Sequence, residues 1–157
     1  MELLRALLLT KEGRIGRIMF LVTSIVWSIV GPVLGYLAVI PLVLIALGMM
    51  ALSGPLGIMS VFLIGALAFA MVVAYIWVSL NIMAKRLHDF GWSGWVGVGS
   101  IVLQVLMMAL LSAESGPAVA AGGLLLLVLF VLWLALVLVP GSAGYNDYGR
   151  RLTISIS

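Results

Sequence analysis

The sequence has no cysteine and a single histidine, His88. The first absence excludes disulfides, thiolate-ligated zinc, iron–sulfur clusters and cysteine nucleophiles, and the second excludes a histidine-rich metal site. Charge is also scarce. Of the 157 residues, 8% are charged and 65% are hydrophobic, whereas a soluble domain carries roughly 25% charged residues. The outer shell of a soluble fold must face water, and so little polar surface cannot cover one. The bilayer is therefore the solvent for most of the chain. No cleavable leader is expected. The short apolar run from Leu3 to Leu9 is broken by Arg5 and followed by Lys11, Glu12, Arg14 and Arg17 rather than by a small-residue cleavage site.

What the sequence does have is long uncharged runs. Ile18 to Ala84 contains no charged residue, Val96 to Ala113 is a second such run, and Ser115 to Gly144 is a third. One helix needs about 20 residues to cross a hydrocarbon core of roughly 30 Å, so the first run holds more than one crossing. Gly31-Pro32 and Pro41 interrupt its early part, and Ser53-Gly54-Pro55-Leu56-Gly57 is the strongest turn signal in the chain. Further breaks fall at Ser112 to Pro117 and at Pro140-Gly141. These marks predict an all-α polytopic membrane protein, one domain over residues 1–157, with four transmembrane helices at about 18–39, 58–84, 95–111 and 121–139. Residues 41–52 are too short to cross alone. They either extend the first span past a proline kink or form a separate half-helix at the far interface.

The placement of charge tests the count. With four spans, Arg5, Lys11, Arg14, Arg17, Lys85, Arg86, Arg150 and Arg151 all fall on one side, and the other side holds only Glu114. Lysine and arginine beside span ends mark the cytoplasmic side, so both termini are expected there. Three spans within residues 18–84 would fit the length but would put Lys85 and Arg86 outside. Two weaker patterns accompany this. Leu3, Leu4, Leu7 and Leu8 could line one face of a short helix lying on the inner leaflet. Gly31-x-x-x-Gly35 and Ala70-x-x-x-Ala74 offer close helix contacts.

Three polar clusters punctuate the chain, and this topology brings them to one face. They are Gly13-Arg14-Ile15-Gly16-Arg17, then Lys85-Arg86-Leu87-His88-Asp89-Phe90-Gly91-Trp92-Ser93-Gly94-Trp95, then Gly144-Tyr145-Asn146-Asp147-Tyr148-Gly149. In this order the motifs resemble those of the YhaH/YhaI-like bacterial inner-membrane proteins, domain-of-unknown-function family eight hundred and five. The resemblance covers nearly the whole chain, and its specific part is the stretch from Arg86 to Trp95. The chain departs from the family pattern at Lys85, where arginine is usual, at Leu21, where tryptophan is common, and at Arg150, where proline is usual. The resemblance implies a small multi-pass protein of the bacterial cytoplasmic membrane and supplies no activity.

Read residue by residue, the clusters favour architecture over chemistry. Lys85 and Arg86 suit the C-terminal end of a helix, where cations interact favourably with the dipole. His88 beside Asp89 could be a base, a relay or half a metal site. Adjacent helical residues do not face each other, however, and no second histidine or cysteine exists. The plainer expectation pairs Asp89 with Arg14, Arg17 or Arg86 and gives His88 a backbone carbonyl. Gly91-Trp92-Ser93-Gly94-Trp95 is not a nucleophile elbow, because Trp95 stands where the motif needs glycine. Ser93 is better placed to cap the third span, and Trp92 and Trp95 suit the membrane interface. Asn146 and Asp147 read as a turn, with Tyr145 and Tyr148 at headgroup depth. The candidate site is thus Arg14, Arg17, Arg86, His88, Asp89, Ser93, Asn146 and Tyr148. Its hydrogen-bonded centre is expected to be Arg14, Arg17, Arg86, Asp89 and Asn146.

These residues point to a non-enzymatic scaffold, regulator or accessory subunit. The expected partners are the lipid bilayer, with anionic lipids at the cytoplasmic face, and a membrane protein or a second copy of the chain. No catalytic residue, cofactor, metal or nucleic acid is expected. The alternative is a small-solute transporter or channel subunit acting as an oligomer. Deep ionisable groups would favour it, and the spans contain only amides and hydroxyls such as Asn81, Gln104 and Ser60.

Overall fold

The computed structural model describes residues 8–10, 12–52, 54–142, 144–149 and 151–152. Helix α1 runs from Arg17 to Leu52 and α2 from Gly54 to Asp89, α3 from Trp95 to Leu111, and α4 from Gly116 to Leu138. Two short strands, β1 (Arg14–Ile15) and β2 (Arg151–Leu152), pair in parallel, with Arg14 opposite Arg151 and Ile15 opposite Leu152. Most of the N-terminal segment expected to lie on the leaflet falls outside the described residues.

Helix α1 settles the reading of residues 41–52, because it continues unbroken through Pro32 and Pro41. A proline removes one backbone donor, and apolar membrane helices tolerate that loss. Helices α1 and α2 have 36 residues each, so each is about 54 Å long at 1.5 Å per residue. Both exceed the hydrocarbon core of roughly 30 Å. Helix α2 continues five residues past residue 84, the expected end of the second span. Its last turn carries Arg86, His88 and Asp89, with Lys85 just before it, so these are helical side chains rather than loop residues.

Three helices, α1, α2 and α4, are long and apolar enough to cross a membrane. Helix α3 is apolar and shorter, at 17 residues. Large apolar side chains along all four helices are exposed, among them Ile18, Phe62, Val102 and Leu124. The buried set inverts the order of a soluble protein. The largest fully buried side chains are Arg14, Arg86, Lys85, Ile15 and Asp89. Charge inside and hydrocarbon outside is the arrangement a bilayer selects, since lipid is as apolar as leucine.

The chain forms two compact units. One of them, residues 24–79, consists of α1 from Ser24 onward and α2 up to Ser79. Within this unit Trp27 stacks on Tyr75 with ring centroids 5.6 Å apart, and the Trp27 indole donates to Ser79 Oγ at 3.2 Å. Gly31 lies against the Tyr75 ring, whereas Gly35 faces open space. Ala70 and Ala74 are both exposed, so of the two small-residue patterns only Gly31 makes a close contact. The other unit holds the described residues before Ser24 and after Leu138, the last turns of α2, and α3 packed against α4.

Candidate functional site

The site is built at the end of α2. Helix α2 stops in a Schellman turn: Trp92 N–H donates to Leu87 O at 3.0 Å and Gly91 N–H to His88 O at 3.0 Å. Gly91 has φ of 77°, a conformation that glycine adopts without a Cβ penalty. The turn fixes the last helical residues, and Asp89 among them is completely buried.

Asp89 is held by two arginines. Oδ1 accepts from Arg14 Nη2 at 2.9 Å and Nε at 3.2 Å, and Oδ2 accepts from Arg86 Nη1 at 2.5 Å. All three side chains have zero exposure. Two cations on one anion leave a positive excess, which backbone carbonyls take up. Arg86 Nε donates to Leu136 O at 2.7 Å and Nη2 to Val139 O at 2.5 Å. These carbonyls lie at the C-terminal end of α4, where helix carbonyls lack internal partners and the dipole is negative. The Arg86 guanidinium also lies 4.5 Å from the centre of the Phe90 ring.

Arg14 joins the two termini to this helix end. Its Nη1 donates to Gly144 O at 2.7 Å and Gly149 O at 3.2 Å, and its Nη2 to Ser142 O at 2.8 Å and Ser142 Oγ at 2.9 Å. Ser142 in turn donates twice to Asp89 O, from its N–H at 2.8 Å and its hydroxyl at 2.9 Å. Asn146 Nδ2 donates to His88 O at 2.8 Å and Ser142 Oγ at 3.2 Å. Asn146 Oδ1 accepts the Tyr148 N–H at 3.0 Å, which closes an Asx turn. Lys85, fully buried, donates to Thr10 O, and Asn81 donates to Leu8 O at 3.0 Å. Among the described residues, no buried side-chain nitrogen or oxygen lacks a partner.

Arg14, Arg86, Asp89 and Asn146 thus lie in one hydrogen-bonded network. Arg17 does not join it: it is exposed and begins α1, whereas Arg14 sits on the extended segment before it. Ser93 is also outside the network. Gly94 occupies the cap position of α3, and the exposed Ser93 hydroxyl reaches only the Trp95 N–H, at a long 3.4 Å. Trp92, Trp95 and Tyr145 are exposed. Tyr148 instead turns inward, and its ring stacks on His88 with centroids 3.9 Å apart and planes 4° apart.

His88 Nδ1 lies 3.3 Å from Gly13 O, so the carbonyl it meets belongs to the N-terminal segment. An architectural role sets an order of variants. His88→Leu loses both the polar contact and the ring stacking, whereas His88→Gln keeps a donor for the carbonyl. An unpaired buried acceptor costs about 1–3 kcal/mol, so thermal unfolding in detergent should rank wild type above His88→Gln and His88→Gln above His88→Leu. Equal stability of all three proteins would remove His88 from the framework.

Sequence reasoning missed Ser142 and the carbonyls of Leu136, Val139, Gly144 and Gly149. Ser142 follows Pro140-Gly141 directly, and a short hydroxyl next to a helix stop is a usable signal. A second feature of this unit is an apolar groove of about 520 Å³ between α2, α3 and α4, whose polar side chains are Ser100 and Gln104.

Helices that bury charge at one end and expose hydrocarbon along their length define an integral membrane protein with a self-saturated polar clamp. Residues 8–150 match the family model described as protein of unknown function, DUF805, and the chain belongs to that family. No curated protein and no solved structure matches the chain.

Proposed function

We propose that the protein is a non-enzymatic scaffold, regulator or accessory subunit of the bacterial inner membrane. It crosses the bilayer four times, with both termini in the cytoplasm. Its clamped end faces a membrane-protein partner or a second copy, and anionic lipid. The observation that carries this reading is the saturation of the buried charges by the chain's own groups. A network whose donors and acceptors are engaged internally supports a rigid platform, and the surface it holds out is what a partner meets. That surface includes Arg17, Trp92, Ser93, Tyr145 and Asp147, all exposed. Helix α3, at 17 residues, sits at the lower end of the ~17–25 residues a crossing takes. The transporter alternative draws no comparable support, since the walls of the groove are apolar except at Ser100 and Gln104.

Two measurements test the proposal. Reporter fusions at Phe90 and Ser157 should report cytoplasm, and insertions near Ser53 and Glu114 should report the opposite side. A cytoplasmic signal at Ser53 contradicts the span count. Photo-crosslinking residues at Trp92 and Tyr145 should capture one reproducible protein species in intact membranes, while residues at Phe62 and Val102 capture lipid. Capture of lipid alone from all four positions contradicts the scaffold role.

A further inference from the structure

Asn81 and Lys85 are buried, with 3% and 0% exposure, on a helix that carries no charge from Gly54 to Ala84. Polar groups in a span are costly and rare. Both of these donate to main-chain carbonyls of the segment before α1, and that segment tracks α2 turn by turn. Asn81 donates to Leu8 O at 3.0 Å, Lys85 donates to Thr10 O, His88 Nδ1 lies 3.3 Å from Gly13 O, and Arg14 pairs with Asp89. The two stretches run in the same direction. His88 to Asn81 spans about 10 Å at the helical rise, so the chain moves about that far along α2 between Gly13 and Leu8.

The start of α3 sets where the hydrocarbon ends on α2. Helix α3 has 17 residues, about 25 Å at 1.5 Å per residue. A crossing of roughly 30 Å takes its whole length, so the hydrocarbon edge lies no further in than Gly94. Gly94 packs at the level of Ala84 and His88: a Cβ on it would meet Ala84 Cβ at 2.9 Å and His88 Nε2 at 3.4 Å. The end of α4 gives the same level, because its Leu136 and Val139 carbonyls accept from Arg86. Asn81 lies one turn further in than Ala84, at the level where Gly97 of α3 faces Leu80 and Met83. The Leu8 carbonyl lies at that depth with it.

Irregular backbone is tolerated at membrane depth only where protein satisfies its polar groups. Asn81 and Lys85 do this for Leu8 and Thr10. Leu9, between them, is 58% exposed and presents an apolar side chain. Glu12 is exposed and precedes Gly13, which lies at the hydrocarbon edge beside His88. We infer that residues 8–10 dip below the hydrocarbon edge as a re-entrant segment, with Asn81 and Lys85 as the receptors for its backbone. The inference rests on the proposed crossing of the bilayer by α3.

Spin-label depth measurements test it. The chain has no cysteine, so one introduced thiol carries the only nitroxide. Labels are placed at Leu9→Cys, at Glu12→Cys and at Val102→Cys, the last exposed in the middle of α3. Each protein is reconstituted in phosphatidylcholine vesicles, and the label's collisions with oxygen and with a water-soluble nickel chelate are compared. Leu9→Cys should show several-fold less nickel access than Glu12→Cys, and Val102→Cys should be the most shielded. Nickel access at Leu9→Cys equal to that at Glu12→Cys, with Val102→Cys shielded, overturns the inference alone. Nickel access at Val102→Cys overturns the bilayer placement of α3 and the inference with it. Asn81→Leu removes the donor to Leu8 O. It should raise nickel access at Leu9→Cys to the level of Glu12→Cys while Val102→Cys stays shielded. Unchanged access at Leu9→Cys in that variant overturns the receptor role of Asn81.

Discussion

Asp89→Ala is expected to lower stability in detergent by about 3–5 kcal/mol, the cost of breaking a buried ion pair by removing one partner. The carboxylate accepts three charged hydrogen bonds from Arg14 and Arg86. Alanine leaves two guanidinium groups buried together without the carboxylate that both of them meet. The control is Glu114→Ala, which removes an exposed carboxylate and should cost about 0–1 kcal/mol. Thermal unfolding of the two variants in one detergent gives the comparison. Equal midpoints would mean that the arginines are satisfied without Asp89.

Gly141→Ala should be nearly as damaging, although it adds one methyl group and removes nothing. A Cβ at residue 141 would overlap the Asp89 carboxylate and also meet the Asp89 carbonyl oxygen at 2.8 Å. Neither atom can give way, because the carboxylate is pinned by two arginines and the carbonyl accepts twice from Ser142. Overpacking typically costs about 1–3 kcal/mol, and loss of the ion pairs adds to it. In the Asp89→Ala background the overlap with the carboxylate is gone and only the close approach to the residue 89 carbonyl remains. Gly141→Ala should therefore cost less in that background than in the wild type, a non-additivity that marks direct contact. Additive losses in the double variant would place the damage elsewhere.

The two substitutions show which parts of this site the sequence exposes. Long uncharged runs and the breaks at Ser53 to Gly57, Ser112 to Pro117 and Pro140-Gly141 mark the helices, because apolar length and Gly-Pro clusters act locally. Arg14, Asp89 and Asn146 stand out because buried polarity is expensive and sparse in a hydrophobic chain. The partners of Arg14 and Arg86 do not stand out, since most are backbone carbonyls and a carbonyl carries no residue signature. Gly141 reads in the sequence only as a helix stop, and its closeness to Asp89 follows from tertiary packing. The continuation of α1 through Pro32 and Pro41 was undecidable from composition, because a membrane tolerates what water would break. Arg17 misled for a simpler reason. It shares a motif with Arg14, but three residues and a change from extended chain to helix separate their directions.

Tyr148 gives a similar lesson. An aromatic residue near a span end usually marks headgroup depth, and Tyr145 remains exposed as that rule suggests. Tyr148 instead covers His88, because the turn at Asn146 carries the chain back over α2. The pairing depends on a long-range approach between residues 88 and 148, which periodicity cannot reveal.

The central claim is that one network on α2 holds both termini. Amide hydrogen exchange of Asp89→Asn against wild type tests it most directly, because the substitution lies on α2 and in neither terminal segment. The account predicts that Gly13 to Ile15 and Ser142 to Gly149 lose protection together, while the hairpin residues 24–79 stay unchanged. Undiminished protection of either terminal segment would contradict the clamp.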